Sequence, residues 1–442
     1  MAQERDELNR RRQAREAARR KREAAQRRMY FRLIAAAVVL VAFGVAMFLL
    51  VRGENPQEPE QEVMATVAPV QTVPAETEEE AASWERPPEV ITIAAAGDLN
   101  VTDSVVWAGQ EGTSYDYTKA FMDVAPILSR ADLTVLNYEG TVSGIPYGGA
   151  EGSAPPELIT ALKNAGVDLL QTANSCAINN GFSGLVSTLS SIRAAGIEPV
   201  GAFSNYDEFS KSKGYTICEV GDIKVALVAF TKGMSGRGLP EGNEECVNLL
   251  YKDYSTTYRE INTEGIKSIL RAASNESPDI IIALLHWGSE YNEDISESQE
   301  DVRDLMLAEG VDVILGTHSH LLQKIEYDDN TGQLVAYSLG DFFGDGKRSG
   351  TSYSVILELE ITKDYDTGVT RVTDYSYTPI YTLKEADCDG DRRVVRIHNA
   401  VAAYEANFVD KITKSCYEDM LFSLTRIEAR ISGKESTAKE VN

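Results

Sequence analysis

Residues 311–320 read VDVILGTHSH, an apolar run that ends in a His-x-His pair. Apart from Asp312, the stretch VDVILG (311–316) has the composition of a strand buried on both faces. Four other stretches share the design. ITIAAAG (91–97) runs into Asp98, LTVLNY (133–138) into Glu139, and VDLLQTA (167–173) into Asn174-Ser-Cys176. DIIIALL (279–285) runs into His286-Trp-Gly-Ser-Glu290. In open α/β sheets, ligands bind outside the carboxyl ends of the strands. Five polar clusters at such ends, holding acids, amides and three of the four histidines, are therefore expected to meet on one rim.

Working outward, helical patterns separate these runs: PELITALKNAG (156–166), GLVSTLSSIRAAG (184–196) and SESQEDVRDLMLAEG (296–310). Three further segments read as antiparallel hairpins, turning at Gly221-Asp222, around Asn330–Gly332 and around Asp366–Gly368. Mixed sheets covered by helices follow, an α/β or layered α/β/β/α architecture. The body is expected over residues 90–382, with a C-terminal helical extension at 383–442. His398 falls in that extension and reads as structural.

Charge divides the chain. Residues 1–32 hold twelve Lys/Arg against five Asp/Glu, and the remainder holds 31 against 63. An acidic body excludes nucleic acid, which needs a basic footprint. It also repels polyanions at short range, so an anionic ligand needs a metal or a few local cations. Residues 33–51, LIAAAVVLVAFGVAMFLLV, are an uncharged apolar run about 28 Å long as a helix, close to a bilayer core. Lys21, Arg22, Arg27, Arg28 and Arg32 crowd its N-terminal flank. A single-pass transmembrane helix is expected, with residues 1–32 a cytoplasmic basic tail and the body outside the cell. Residues 52–89, acidic and Pro-rich, read as a disordered linker. The five cysteines show no zinc spacing, and their odd number leaves at least one thiol free.

Carboxylate, amide and imidazole together suit Mn²⁺, Fe²⁺ or Zn²⁺. An H-x-H pair leaving a strand puts both rings on one side, since side chains alternate. A loop cap or turn former is the competing reading for any single acid here.

The motifs AAAGDLN (94–100), ADLTVLNYEG (131–140), TANSCAINNGFSGLVSTL (172–189), HWGSEY (286–291), GTHSHLLQKIE (316–326) and YSLGDFF (337–343) carry a resemblance. Over residues 90–382 the sequence resembles the CapA family of capsule-synthesis (poly-γ-glutamate biosynthesis) proteins, which have a calcineurin-like metallophosphoesterase fold. The resemblance implies a divalent-metal site (Mn, Mg, Zn or Fe) with Asp98, Glu139, His286, His318 and His320 as ligands. Glu139 would bridge, and the His pair would serve one metal position each. Glu290 would orient a histidine or touch substrate. The family's A-N-N-H reads Ala173-Asn174-Ser175-Cys176, which leaves Asn174 as a further metal candidate. Cys176 stands where related phosphoesterases hold an imidazole against the leaving group. It is a candidate ligand or nucleophile with no base or cation beside it in sequence. Asp341 replaces the Asn of S-L-G-N-F.

The resemblance implies a membrane-anchored, extracytoplasmic protein for synthesis, export or processing of an anionic cell-surface polymer. Membrane subunits of a polymer synthase would be its partners. An active metal-dependent phosphoester or amide hydrolase is one alternative, and a non-catalytic polymer-binding scaffold is the other. No phosphate-binding G-x-x-x-x-G-K-[ST] loop and no G-x-S-x-G elbow is present.

Overall fold

All five apolar runs are strands in the computed structural model, which describes residues 86–388, 390–407 and 412–432. They are β1 (Glu89–Asn100), β2 (Leu133–Glu139), β3 (Leu169–Gln171), β4 (Ile280–His286) and β5 (Val313–Thr317). A short strand, β6 (Asp341–Phe343), completes the set that builds the rim.

Two large sheets hold all the described strands except the small pair Gln110–Glu111 and Ser114–Tyr115. In the first, the order is Arg393–Arg396, Val369–Leu383, Tyr353–Asp364, β1, β2, β3 and Glu198–Val200, with β6 pairing beside the end of β1. In the second, the order is Ile325–Asp328, Gln333–Ala336, β5, β4, Ile223–Thr231 and Tyr215–Val220. The neighbours β1–β2, β2–β3 and β4–β5 are parallel, so their carboxyl ends point the same way. All three expected hairpins are antiparallel pairs.

Alternation along each strand sorts the side chains into layers. Ile93, Ala95, Val135 and Leu169 face Leu227, Ile282, Leu284 and Leu315 in the core between the sheets. The opposite faces carry Ala94, Ala96, Leu136 and Leu170, packed under Leu158, Ile159 and Leu162 of helix Pro156–Asn164. On the far side, Phe230, Ala283 and Leu285 pack under Leu270 of helix Thr263–Ser274 and Met306 of helix Glu297–Ala308. Each central strand thus buries both faces, and each buried Leu or Ile contributes about 1.5–3 kcal/mol. The order is helix, sheet, sheet, helix.

The C-terminal segment differs from a purely helical extension. Arg393–Arg396 pairs antiparallel with Val369–Leu383 before helices Ile397–Glu405 and Lys414–Ile431. Four residues are too few to show a strand period, and arginines at both ends mask the two valines between them. Ile397, Cys416, Met420 and Ile427 join the core between the sheets. The basic tail, the apolar run at 33–51 and the linker up to residue 85 lie outside the described residues. Among the described residues no helix is long and apolar enough to cross a membrane.

Candidate metal centre

Register places the acids and histidines. Asp98 on β1 lies opposite Asn137 on β2 and Asp341 on β6, and Asn100 lies opposite Glu139. His286 ends β4 opposite Thr317, the last residue of β5. The β1–β2 pairing slips between Ala96 and Asp98, and such a bulge re-aims the side chain that follows it. Gly97 occupies the slip because a Cβ there would stand 1.8 Å from the Gly340 carbonyl oxygen. Its neighbour Asp98 donates its backbone N–H to that same oxygen at 2.8 Å.

The His-x-His pair is not strand-like. β5 stops at Thr317, and His318 and His320 take positive φ values of 92° and 60°. Non-glycine residues in that region carry strain that concentrates at functional sites. The Asp98 carboxylate holds the turn by accepting the His318 backbone N–H at 3.1 Å. The two rings, 6.5 Å apart between centroids, consequently serve different groups.

Glu139, His286 and His318 form one buried set of donors, and Asp98, His320 and Asp341 form the other. Glu139 reaches toward both: its Oε1 lies 3.1 Å from His286 Nε2, and its Oε2 lies 3.8 Å from His320 Nε2. His320 Nδ1 is 2.8 Å from Asp341 and 3.7 Å from Asp98. Buried His286 Nε2 and His318 Nδ1 have no hydrogen-bond partner. In the tautomer that donates from Nδ1 to Thr317 Oγ1 (3.2 Å), His286 presents its Nε2 lone pair to the Glu139 carboxylate. Acceptor then faces acceptor, an arrangement that a cation between them makes favourable. The donor set therefore fits a divalent metal.

Electrostatics agree with that fit. Burial pushes the Asp98 carboxyl up to about 6, although the His320 charge pulls the other way. Burial and the neighbouring Asp98 hold Glu139 well above the usual carboxylate range. Burial, with the nearby His318 and His320, keeps His286 well below the ordinary imidazole value. Burial and the Lys232 charge do the same to His318. His320 is the exception: burial opposes its charge, but Asp341, Glu139 and Asp98 together raise it. Neutral imidazoles and crowded carboxyls suit a cation better than protons.

Of the expected residues, Asp98, Glu139, His286, His318 and His320 come together here. Asn174 has another task. Its amide donates to Asn137 Oδ1 (3.0 Å) and the Tyr138 carbonyl (2.7 Å), while its Oδ1 accepts the Cys176 backbone N–H (3.0 Å). Both ends of the amide are thus engaged by protein, which fixes its orientation beside Asn137. Burial and then the Glu139 charge push the Cys176 thiol up to about 12. Without a cation beside it, the thiol is held in its neutral form near neutral pH. Glu290 is exposed on the loop after β4, where its charge reaches Glu139 and Lys232.

Sequence reasoning missed three contributors. Asn137 donates to Asp98 at 2.7 Å and lies 3.4 Å from Glu139 Oε1, orienting both carboxylates. Its signal was the alternation of Asn137 and Glu139 on one strand. Asp341 was noted only as a departure, yet it supplies a carboxylate. Lys232 donates to the Gly288 carbonyl at 2.5 Å, and nothing in its local sequence marks it. The loops that leave β2 and β3 go on to border a cleft of about 460 Å³, lined by Ser143, Ser153, Asn180, Ser183 and Ser187.

A family model described as bacterial capsule synthesis protein PGA_cap matches residues 92–345, more than half of the chain. The chain is similar to the capsule biosynthesis protein CapA of Bacillus anthracis, 26% identical over 281 residues, or 62% of this chain and 64% of that protein. It therefore spans just under two thirds of that relative's length. It is also similar to the PGA biosynthesis protein CapA of Bacillus subtilis (strain 168), 27% identical over 277 residues, or 60% and 68%. A solved structure, the calcineurin-like phosphoesterase YfkN from Bacillus subtilis, aligns over 76% of this chain and 100% of that one. The identity is 17% and the TM-score 0.39.

Proposed function

Because the chain belongs to the bacterial capsule synthesis protein PGA_cap family, we propose that it acts in the synthesis, export or processing of an anionic capsule-type polymer of the poly-γ-glutamate class, through a divalent-metal centre. The observation that carries the metal is the buried face-off between His286 Nε2 and Glu139, with His318 Nδ1 also lacking a partner. Glu139, His286 and His318 would hold one ion; Asp98, His320 and Asp341 would hold a second. Imidazole with carboxylate favours Mn²⁺, Fe²⁺ or Zn²⁺. A bound ion supplies Lewis acidity and positive charge against an anionic ligand.

The remaining work falls to the chain. Asn137 fixes the Asp98 and Glu139 carboxylates, and Asn174 fixes Asn137. Lys232 adds positive charge beside His286 and His318. The apolar run at 33–51 would anchor the body outside the cell, where such a polymer is assembled, next to membrane subunits of a synthase.

A second reading, a metal-dependent phosphoester or amide hydrolase, is favoured by Glu139 reaching both donor sets. Against it, the position suited to an imidazole acid carries the neutral Cys176 thiol, and losing a general acid typically costs about 10²–10⁴ in rate.

The test is the metal content of the purified full-length chain after loading with Mn²⁺ or Zn²⁺ and desalting. Binding near one or two equivalents, lost in His286→Ala and His318→Ala, is expected. Retention of less than about a tenth of an equivalent by the wild type would remove the metal from the account.

A further inference from the structure

Arg348 stands at the edge of the centre, with no ion pair to an acid among the described residues. Asp345, the acid nearest in sequence, is engaged by the Lys347 ammonium and by the Lys347 backbone N–H, each at 3.0 Å. Among the described residues the Arg348 guanidinium has no carboxylate within ion-pair reach; it lies 4.0 Å from the centre of the Tyr291 ring. Tyr291 in turn stacks on His320, 5.2 Å between centroids and tilted by 24°. His320 belongs to the Asp98–His320–Asp341 set, so one exposed guanidinium is tied to half of the centre through a single aromatic ring.

The ring is fixed in place. Tyr291 takes a positive φ of 56°, and its backbone N–H donates to the Ser319 carbonyl at 2.8 Å. That bond joins the loop after β4 to the strained His-Ser-His turn. A guanidinium held over an aromatic ring can keep N–H groups free to receive an oxyanion in bidentate fashion. Lys232, half-buried near His286 and His318, adds a second cation, its ammonium spent on the Gly288 carbonyl and the Tyr258 ring. Outside residues 1–32 the chain holds 31 Lys/Arg against 63 Asp/Glu, so an unpaired cation beside the donors is a local reversal of the prevailing charge.

We infer that Arg348, steadied by Tyr291, is a substrate-docking residue that receives a carboxylate of a chain whose neighbouring anionic group reaches the metals. This rests on the metal reading above and deepens it. The offset decides the ligand class. The Arg348 guanidinium lies against the Tyr291 ring, which stacks on His320, so a ligand that engages Arg348 and the metals together needs two anionic groups. A polymer with a carboxylate on every residue meets that requirement; a small monoester has its one anionic group taken up at the ions.

The experiment titrates a fluorescently labelled γ-linked glutamate oligomer into the Mn²⁺-loaded full-length chain and reads anisotropy, with Mn²⁺ content measured on the same samples. Arg348→Ala is expected to weaken binding about five- to tenfold and flatten its salt dependence, with Mn²⁺ content unchanged. Arg348→Lys, which keeps the charge but loses the planar fork, should fall between. Oligomer affinity equal in wild type and Arg348→Ala, with Mn²⁺ retained, overturns the inference and leaves the metal reading intact; so does a Mn²⁺-loaded wild type that binds no oligomer. A wild type that takes up no Mn²⁺ yet binds oligomer through Arg348 sinks the metal reading and keeps the docking role. Inorganic polyphosphate serves as the competing probe: dependence on Arg348 for it alone overturns the carboxylate assignment.

Discussion

His318 bears a buried ring nitrogen with no partner and a backbone strained to φ 92°. The unpaired nitrogen becomes favourable once a cation sits against it, and strain of this kind concentrates at functional sites. His318→Ala is therefore expected to lose at least one metal equivalent, which metal analysis would detect. Asn137→Ala leaves every ligand in place but frees the Asp98 and Glu139 carboxylates. A drop of about 10–100-fold in Mn²⁺ affinity is expected by titration calorimetry. Protonation adds a pH dependence. In the metal-free protein Asp98 keeps its proton up to about 6, against 3.8 for an unperturbed carboxyl. The folded state then binds more protons than the unfolded one over that window, so the Asp98 contribution to stability falls as pH rises through it. Metal reverses the sign, because it binds the deprotonated carboxylate. The melting-temperature gap between Mn²⁺-loaded and metal-free protein should widen from about pH 5 to about pH 8. At this scale the sequence was legible wherever a histidine or acid followed an apolar run. Asp341 and Asn137 were obscured, one by a substitution and one by its place inside a strand. The direction of the Asn174 amide depends on hydrogen bonds that spacing does not encode.

Elements deliver those residues to the rim, and Gly97 is the tightest joint. Any side chain there collides with the Gly340 carbonyl oxygen and pushes β1 away from β6, taking Asp98 with it. Gly97→Ala is expected to cost about 1–3 kcal/mol in denaturant unfolding and to lose metal as well. A contrasting substitution separates stability from site. Ser296 caps helix Glu297–Ala308 in a reciprocal capping box with Gln299. Ser296→Ala should cost about 1 kcal/mol with metal content unchanged. The five rim strands and three hairpins were legible from apolar runs and turn residues. Glu198–Val200 and β6 were not, being three residues each and lacking a period to detect. Helix Thr263–Ser274 was passed over although its apolar positions repeat at helical spacing: Ile266, Ile269, Leu270 and Ala273 are all buried.

At the scale of the whole molecule, interleaved strand and helix patterns were enough to expect an α/β or layered α/β/β/α fold. They did not show which strands share a sheet, because that depends on crossovers between distant segments such as β1 and Tyr353–Asp364. The strong acidity of the chain beyond residue 32 makes local positive charge a requirement for binding a polyanion, from bound ions, Lys232 or Arg348. Everything proposed for this chain turns on a cation held by the Glu139, His286 and His318 donors. Crystals of the Mn²⁺-soaked full-length protein, with data collected near the manganese absorption edge, test that directly. The account predicts an anomalous peak within coordination distance of His286 Nε2, His318 Nδ1 and Glu139. A map with no peak there, from crystals in which these side chains are well ordered, would contradict it.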